Sequence, residues 1–275
     1  MAKLDKLYAR EILDSRATPT IEVVAILDTG DYGVSSVPSG VSIGEHEAHE
    51  LRDNDPARYL GKGVLTAVNH VNHDIASVLG SKEIESVAQV DQQLLTLDGT
   101  VDKSHLGANA ILGVSMAVTK ALAAAAKVPL YRFIAHISGN DQTLFIPTSL
   151  FNMINGGKHG AGNLDFQEFH IIPNPHQPFS SCLETAAVIY QHIKRILARR
   201  GAIHSVGDEG GFAPNLFTNL DALEVLQEAI TESNRKPGVD VELGLDIAAN
   251  TFIKDGRYAI KDRSSPMDSS EFIDY

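Results

Sequence analysis

Cysteine is nearly absent from this sequence, which excludes a fold held together by disulfide bonds. Cys182 is the only cysteine among the 275 residues, so no intrachain disulfide can form. A lack of structural disulfides is typical of proteins that work in a reducing compartment. The sequence therefore predicts a cytoplasmic protein.

Long apolar runs are also lacking, and their absence predicts a protein without a membrane span. No stretch approaches the ~18 consecutive apolar residues that a spanning helix needs. Residues 1–10 alternate between charged and apolar side chains, unlike the continuous apolar core of an export signal. We therefore expect neither a membrane helix nor an export signal.

Basic residues are in deficit, which disfavours non-specific binding to nucleic acid. The chain has 23 Lys and Arg against 35 Asp and Glu, a formal net charge of −12. An anionic substrate is still compatible with this charge, because a bound metal can reverse the local field. With 43% hydrophobic and 21% charged residues, the composition is that of a globular protein.

The length and the local patterns predict two domains. A chain of 275 residues exceeds the ~100–200 residues of a typical domain. Residues 20–27 and 32–37 predict strands joined by a turn. Helical spacing over residues 64–79 and an alanine-rich stretch at 108–127 predict helices. We place the boundary so that residues 1–137 form the first domain and residues 138–275 the second.

The second domain mixes short apolar runs with amphipathic helices. The patterns predict short apolar runs at 145–154 and 164–172, helices at 184–200 and 220–233, and an alternating strand at 241–247. Asp268 and Glu271 have the D-x-x-E spacing of a helix start. The sequence stops about one turn into that helix, which we interpret as a truncated chain.

Two loops carry polar residues among glycines. Asp208 and Glu209 lie in a glycine-rich string at 205–215 that is either a solvated turn or a loop fixed against a core near a ligand. Lys158 and His159 lie in a second string, 156–162, that is either structural or an anion cradle. The second string is not a Walker A loop, because no Gly-Lys-Ser/Thr follows at the required spacing.

Two further carboxylates are candidates for chemistry. Glu168 stands between aromatic neighbours, which disfavours its ionised form and suits a general acid; the alternative is a strand-edge carboxylate in water. Asp246 shares a strand face with Glu242 and Gly244, opposite the apolar residues. If this strand belongs to a barrel, Asp246 lies near its carboxyl end, where barrel enzymes place active-site groups. Asp246 is then either a ligand for a hard cation or a member of a structural salt bridge.

Taken in order, several strings along the whole chain resemble the enolase family. They include DSR (14–16), PSG (38–40), GANAIL (107–112), MINGG (153–157), QEF (167–169) and VGDEGGFAPN (206–215). The resemblance implies an α+β N-terminal domain, an antiparallel meander plus helices. It also implies that an incomplete α/β TIM-type barrel of the enolase kind follows.

This resemblance implies Mg²⁺-dependent, reversible dehydration of 2-phosphoglycerate to phosphoenolpyruvate in glycolysis. Glu209 would be the general acid, Glu168 and His159 would lie close to the departing hydroxyl, and Gln167 would contact the substrate. Asp246 would bind the first Mg²⁺ and Ser39, on a mobile loop, the second. The full-length form would be a homodimer or larger, cytoplasmic, with cell-surface or secreted pools allowed.

The chain also departs from the family pattern. Val41 and Ile43 replace smaller loop residues and are expected either to stiffen the loop that carries Ser39 or to disturb binding of the second metal. The base lysine, the substrate-phosphate arginine and two further carboxylate ligands of Mg²⁺ would lie beyond Tyr275, so we expect these 275 residues alone to be inactive.

Two other interpretations stay open. The first is a non-catalytic short form that keeps the N-terminal domain for contacts with partner proteins. The second is a different metal-dependent lyase of the same superfamily.

Overall fold

The backbone divides after Leu144 into two units, Met1–Leu144 and Phe145–Tyr275. The computed structural model describes residues 2–40, 44, 46–140, 143–160 and 162–275. The division falls a few residues beyond the predicted boundary between residues 137 and 138. Val41 and Ile43, the two residues expected to stiffen a loop, lie outside the described residues.

The first unit is built on a four-stranded antiparallel sheet with strand order β3-β2-β1-β4. Its elements in chain order are β1 (Ala2–Leu13), β2 (Pro19–Leu27), β3 (Tyr32–Ser36), a 3₁₀ turn (Tyr59–Gly61), α1 (Leu65–Asn69), a π-helical turn (His70–Ile75), α2 (Ala76–Leu79), β4 (Glu83–Ile84), α3 (Val87–Asp98), α4 (Ala108–Ala125) and α5 (Leu130–Ile137). The predicted antiparallel meander with helices is confirmed.

The alanine-rich helix α4 packs against this sheet. By length and composition it is apolar enough to cross a membrane, but half of it is buried inside the protein. Ala117, Val118 and Ala121 belong to the core of the unit. A Cβ at Gly33 on β3 would lie 2.1 Å from the carbonyl oxygen of Ala117, so the helix backbone rests directly on the strand. Its small side chains suit an interior helix of a packed core.

The helix predicted at residues 64–79 is widened by one π-helical turn. This turn carries Asn72, whose side chain pairs with both backbone groups of Ala9 on β1. Asn72 Oδ1 accepts a hydrogen bond from the Ala9 N–H at 2.7 Å, and Nδ2 donates to the Ala9 carbonyl at 3.2 Å. Asn72 therefore connects the helix to β1 by two hydrogen bonds. Apolar spacing alone does not predict such a polar contact.

The second unit contains a three-stranded antiparallel sheet with strand order β5-β6-β7 and a small β8-β9 hairpin. Its elements are β5 (Phe151–Asn155), a 3₁₀ turn (Gly157–His159), β6 (Glu168–Pro173), α6 (Phe179–Arg199), α7 (Asn219–Glu232), β7 (Val241–Asp246), a 3₁₀ turn (Ala249–Phe252), β8 (Ile253–Lys254), β9 (Arg257–Tyr258) and α8 (Ser269–Asp274). The strand within the apolar run at 145–154 begins only at Phe151, and α6 begins earlier than predicted, directly after Pro178.

The two faces of β6 and β7 separate the core from a polar surface. Glu168 is paired with Asp246, and Phe169 with Leu245. Directly opposite residues share a face of a sheet, so Glu168 and Asp246 lie together. On the other face, Phe169 and Ile171 are fully buried in the core with residues of α6 and α7. The alternation predicted for residues 241–247 is therefore confirmed in the sheet register.

The helix start predicted at Asp268 is also confirmed. The Asp268 side chain accepts a hydrogen bond from the Glu271 N–H at 2.9 Å, and the Glu271 side chain accepts one from the Asp268 N–H at 2.8 Å. This reciprocal pair satisfies two backbone donors at the start of α8.

Candidate active site

Three titratable side chains from separate segments meet at one place in the second unit. His159 Nδ1 lies 3.3 Å from Glu168 Oε1 and 3.2 Å from Glu209 Oε2. Their potential ligand atoms all lie within 4.8 Å of one another. The exposed fraction of the side chain rises from 6% for His159 through 16% for Glu168 to 39% for Glu209. The cluster therefore has a buried base and a carboxyl group that opens to solvent.

The loop that carries Glu209 is fixed by its own backbone and by β5. The Gly207 N–H donates to the Gly211 carbonyl at 2.8 Å, which closes the turn around Asp208 and Glu209. The Phe212 N–H donates to the Met153 carbonyl at 2.9 Å, and the Phe212 side chain is buried. Of the two interpretations of this string, the structure supports a loop fixed against a core.

Close packing explains a glycine in this loop. A Cβ at Gly211 would lie 2.0 Å from Asn155 Oδ1 and 3.1 Å from Asn152 Oδ1, so no side chain fits there. On the adjacent side, the Tyr190 hydroxyl donates to the Gly210 carbonyl at 2.8 Å, and the Tyr190 ring stacks on Phe212 at 4.3 Å. The position of Glu209 is therefore held from both sides.

The glycine-rich segment before β6 is packed in the same way. A Cβ at Gly156 would lie 2.3 Å from the Phe166 carbonyl oxygen, and one at Gly160 would lie 2.5 Å from that of Asn155. These contacts support the structural interpretation of the segment. They also fix the 3₁₀ turn that contains His159. Lys158, in the same turn, is exposed.

Glu168 is more acidic than an ordinary glutamate. Burial alone raises the pKa of Glu168, but hydrogen bonds from Glu209 and His170 and the nearby imidazoles outweigh it and lower the pKa below its usual value. The expectation that aromatic neighbours disfavour its ionised form is wrong, because Phe169 points to the opposite face of the strand. The alternative of a carboxylate in water is wrong too, because Glu168 is largely buried.

Several buried polar atoms around the cluster have no hydrogen-bond partner within the described part of the chain. They are His159 Nδ1, Gln167 Oε1, Asn152 Oδ1 and both amide atoms of Asn155. His159 Nδ1 is close to two carboxylates but lacks the angles of a hydrogen bond. Buried polar groups are costly when unpaired, so these atoms are the places where a bound ligand gains contacts.

Asp246 lies next to this cluster on the same face of the sheet. Its Oδ2 accepts a hydrogen bond from Gln167 Nε2 at 3.3 Å, and its Oδ1 accepts one from the Ala248 N–H at 3.1 Å. Among the residues that the structure describes, no lysine or arginine forms an ion pair with it. A partly buried carboxylate without a cationic partner suits a hard cation better than the alternative of a structural salt bridge.

Ser39 belongs to the first unit and is largely buried there. Its hydroxyl accepts a hydrogen bond from Arg52 Nη2 at 2.6 Å and donates to Glu50 Oε2 at 3.3 Å. Burial raises the pKa of Glu50, against the opposing effects of Arg52 and Ser39. The structure thus brings five predicted site residues together in the second unit (His159, Gln167, Glu168, Glu209 and Asp246), and Ser39 is held within the first.

Sequence reasoning missed His170. Its Nε2 lies 2.8 Å from Glu168 Oε2, on the side of the carboxylate away from His159. The signal was present in the sequence, because residues two apart on a strand share a face.

Comparison with protein families agrees with this geometry in both units. Residues 4–134 match the family model described as enolase, N-terminal domain. Residues 143–275 match the one described as enolase, C-terminal TIM barrel domain. The two matches together cover nearly all of the chain, in the order that the two units have in the structure.

Proposed function

The chain belongs to the enolase family. From that premise we propose that its residues protonate the leaving hydroxyl group in the dehydration of 2-phosphoglycerate to phosphoenolpyruvate. The family domains support an enolase-like function, that of a lyase of the enolase superfamily. The substrate, the metal and the individual residue roles are the proposal. The observation that carries it is the meeting of Glu168, Glu209 and His159 beside Asp246.

The carboxyl pair explains how the leaving hydroxyl is protonated. A hydrogen bond joins Glu209 to Glu168, and two carboxyl groups can share such a bond only when one of them holds a proton. Because the pKa of Glu168 is lowered, we propose Glu209 as the member of the pair that donates the proton. In the reaction the Glu209 proton passes to the hydroxyl oxygen, the C–O bond breaks, and water leaves as the double bond forms.

His159 and Gln167 surround the same place. His159 is the most buried member of the cluster, and its unpaired Nδ1 is available to the departing hydroxyl. Gln167 donates to Asp246 through Nε2, which leaves its unpaired Oε1 for the substrate. The contact of His159 with the departing hydroxyl and that of Gln167 with the substrate would each use a buried polar atom that has no hydrogen-bond partner among the described residues.

Asp246 fits a magnesium ion. Mg²⁺ prefers oxygen ligands, and Asp246 offers a carboxylate whose two oxygens are already oriented by Gln167 and Ala248. Bound at Asp246, Mg²⁺ would supply positive charge that offsets the negative charge developing on the substrate, as in enolase-superfamily sites. We propose Ser39 as the ligand of a second ion, although Arg52 now donates to its hydroxyl and must release it first.

The base that removes the proton is not among the residues assigned here. We propose that a lysine base, a phosphate-binding arginine and two further carboxylate ligands come from outside residues 1–275. The isolated chain is then expected to bind substrate weakly and to show no turnover. Measurable turnover by these 275 residues alone would contradict this part of the proposal.

The decisive experiment uses the protein expressed from the complete reading frame that contains these residues. Mg²⁺-dependent formation of phosphoenolpyruvate from 2-phosphoglycerate is expected. Glu209→Gln should lower kcat by about 10²–10⁴-fold, the usual effect of removing a general acid. Glu224→Gln, an exposed glutamate on α7, is the matched control and should leave kcat unchanged.

A folded wild-type protein without this activity would overturn the proposal. It would favour either a non-catalytic partner-binding form or a lyase that acts on another substrate. We also propose that the full-length protein is a homodimer or larger. Sedimentation equilibrium tests this directly, and a monomer at micromolar concentration would contradict it.

A further inference from the structure

A second histidine contacts Glu168 from the side opposite His159. Glu168 and His170 are two residues apart on β6, so their side chains project from the same face. His170 Nε2 lies 2.8 Å from Glu168 Oε2. Both side chains are largely buried, with exposed fractions of 14% and 16%. An ionised carboxylate can only accept hydrogen bonds, so the proton of this contact is on His170 Nε2.

The two oxygens of Glu168 therefore have different neighbours. Oε1 lies 3.3 Å from His159 Nδ1, and Oε2 lies 2.8 Å from His170 Nε2. The hydrogen bond from His170 to Oε2 restricts the rotation of the Glu168 carboxylate about its last bond and leaves Oε1 beside His159. His170 thus contacts one oxygen of Glu168 and His159 lies near the other.

The neighbouring strand leaves room for this arrangement. Gly244 on β7 is directly opposite His170 in the sheet register. A Cβ at Gly244 would lie 3.5 Å from the Cβ of His170, which is ordinary contact, and the glycine places no further atoms beside the imidazole. The cross-strand neighbour of His170 therefore does not compete with Glu168 for the ring.

We propose that His170 is a positioning residue for the acid–base cluster. It holds Glu168 in the orientation that accepts the hydrogen bond from Glu209, and it does not itself touch the substrate. The catalytic role of the cluster in this inference rests on the proposed function. The contact between His170 and Glu168 is independent of it.

The contact is tested first, without any activity measurement. Nitrogen-15 NMR of the imidazole groups in the 275-residue chain should show His170 protonated at Nε2. Glu168→Gln should shift the His170 Nε2 resonance, whereas Glu242→Gln, an exposed glutamate on β7, should not. An unshifted His170 resonance in Glu168→Gln would overturn the inference, whatever the protein catalyses.

The consequence is tested in the protein from the complete reading frame. His170→Leu should lower kcat by about 10- to 100-fold, the effect of a misplaced catalytic group, while KM for 2-phosphoglycerate changes little. His170→Gln places an amide N–H near the position of Nε2 and should restore kcat to within a few fold of wild type. His192→Leu removes a similar imidazole–carboxylate contact, with Glu232 on α7 at 3.3 Å, and should leave kcat unchanged.

The outcomes separate the two proposals. An active wild-type protein in which His170→Leu has normal kcat removes the positioning role and leaves the proposed function standing. His170→Gln as impaired as His170→Leu, in folded protein, also removes it, because the donor would then be irrelevant. An inactive wild-type protein overturns the proposed function, and the NMR result then decides the contact alone. If His170→Leu does not fold, His170→Asn, whose amide is too short to reach Oε2, takes its place with the same expected loss.

Discussion

Glu168 on β6 stands directly opposite Asp246 on β7. This cross-strand pair brings the carboxylate of the acid–base cluster beside the carboxylate predicted to bind metal. Gln167 strengthens the link, because its side chain donates to Asp246 at 3.3 Å. The sheet register therefore brings together two carboxylates that are far apart along the chain.

Removing the Asp246 carboxylate should weaken metal binding. We expect Asp246→Asn, in the protein from the complete reading frame, to lower the affinity for Mg²⁺ by about tenfold or more, because a neutral amide is a poorer ligand for a hard cation. Isothermal titration calorimetry measures this. Asp274→Asn, at an exposed position, is the control, and equal Mg²⁺ affinities in both variants would contradict the assignment.

The lowered pKa of Glu168 predicts a pH-dependent contribution to stability. A carboxyl group whose folded-state pKa is depressed stabilises the fold above its unfolded pKa, near 4.5, and loses that contribution as the pH falls through the folded value. Glu168→Gln should therefore lower the free energy of unfolding at neutral pH and have little effect at about pH 3. Urea denaturation at both pH values, with Glu242→Gln as control, measures it. A difference of the same size at both pH values would be evidence against an ionised, hydrogen-bonded Glu168.

Asn219 should be important for the stability of the second unit. It is almost fully buried, and its Oδ1 accepts hydrogen bonds from the N–H groups of Asp165 at 3.2 Å and Phe166 at 3.1 Å. Its Nδ2 donates to Asp262 at 3.1 Å. Asn219→Ala leaves these groups unpaired and should cost about 2–4 kcal/mol of unfolding free energy.

Asn250→Ala is the matched control for Asn219→Ala. Asn250 is exposed in the same unit, and its substitution should change the unfolding free energy by no more than about 0.5 kcal/mol. Chemical denaturation compares the two variants. Equal stability would show that Asn219 does not anchor the segment that precedes Gln167 and Glu168.

Two neighbouring glycines in the Glu209 loop should respond differently to alanine. At Gly211 an added Cβ would meet the buried Asn155 side chain at 2.0 Å, whereas at Gly210, where φ is +83°, it would meet nothing within 4 Å. Gly210→Ala should cost about 1 kcal/mol from backbone strain alone. Gly211→Ala should cost more, because the loop must also move off β5.

Thermal unfolding and kcat of both variants, in the protein from the complete reading frame, measure this difference. Gly211→Ala is expected to lose stability and to lower kcat through displacement of Glu209, whereas Gly210→Ala should retain more of both. The reverse order would show that the loop is not held by its packing against Asn155.

Tyr275 should titrate late. Burial and its hydrogen bond to Asp262 raise the pKa of Tyr275 to about 12. A raised folded pKa means that the contribution to stability is complete below the unfolded value of 10.0 and is lost as the pH rises from there towards 12. Ultraviolet titration of tyrosinate, comparing wild type with Tyr275→Phe, should assign one late-titrating group to this residue. A difference spectrum that titrates near pH 10 would contradict it.

Much of the secondary structure follows from the sequence alone, because it depends on neighbours a few residues apart. Alanine content predicted α4, apolar spacing predicted α6, α7 and β7, and the D-x-x-E spacing predicted the start of α8. Six elements were missed, namely β1, α3, α5 and the two-residue strands β4, β8 and β9. β1 was seen only as alternating charge and apolarity. α3 and α5 are short, at 12 and 8 residues, and their apolar positions at helical spacing were not interpreted as helices.

The residue types of the site were also readable from the sequence, because glycine-rich strings and isolated carboxylates stand out and resemble those of a known family. The electrostatic states of these residues could not be predicted from the sequence. Glu168 has aromatic neighbours along the chain, but a strand points successive side chains to opposite faces, so its spatial neighbours are His159, His170 and Glu209.

The sequence by itself thus determined the family, the order of the two units and the candidates for acid, substrate contact and metal ligand. Only the tertiary structure decided that Glu168 pairs with Asp246, that Glu209 lies within reach of His159, and that His170 contacts the carboxylate between them. The physical reason is that local patterns specify faces and turns, whereas pKa values and ligand sites depend on distances between segments, which strand register and loop packing set.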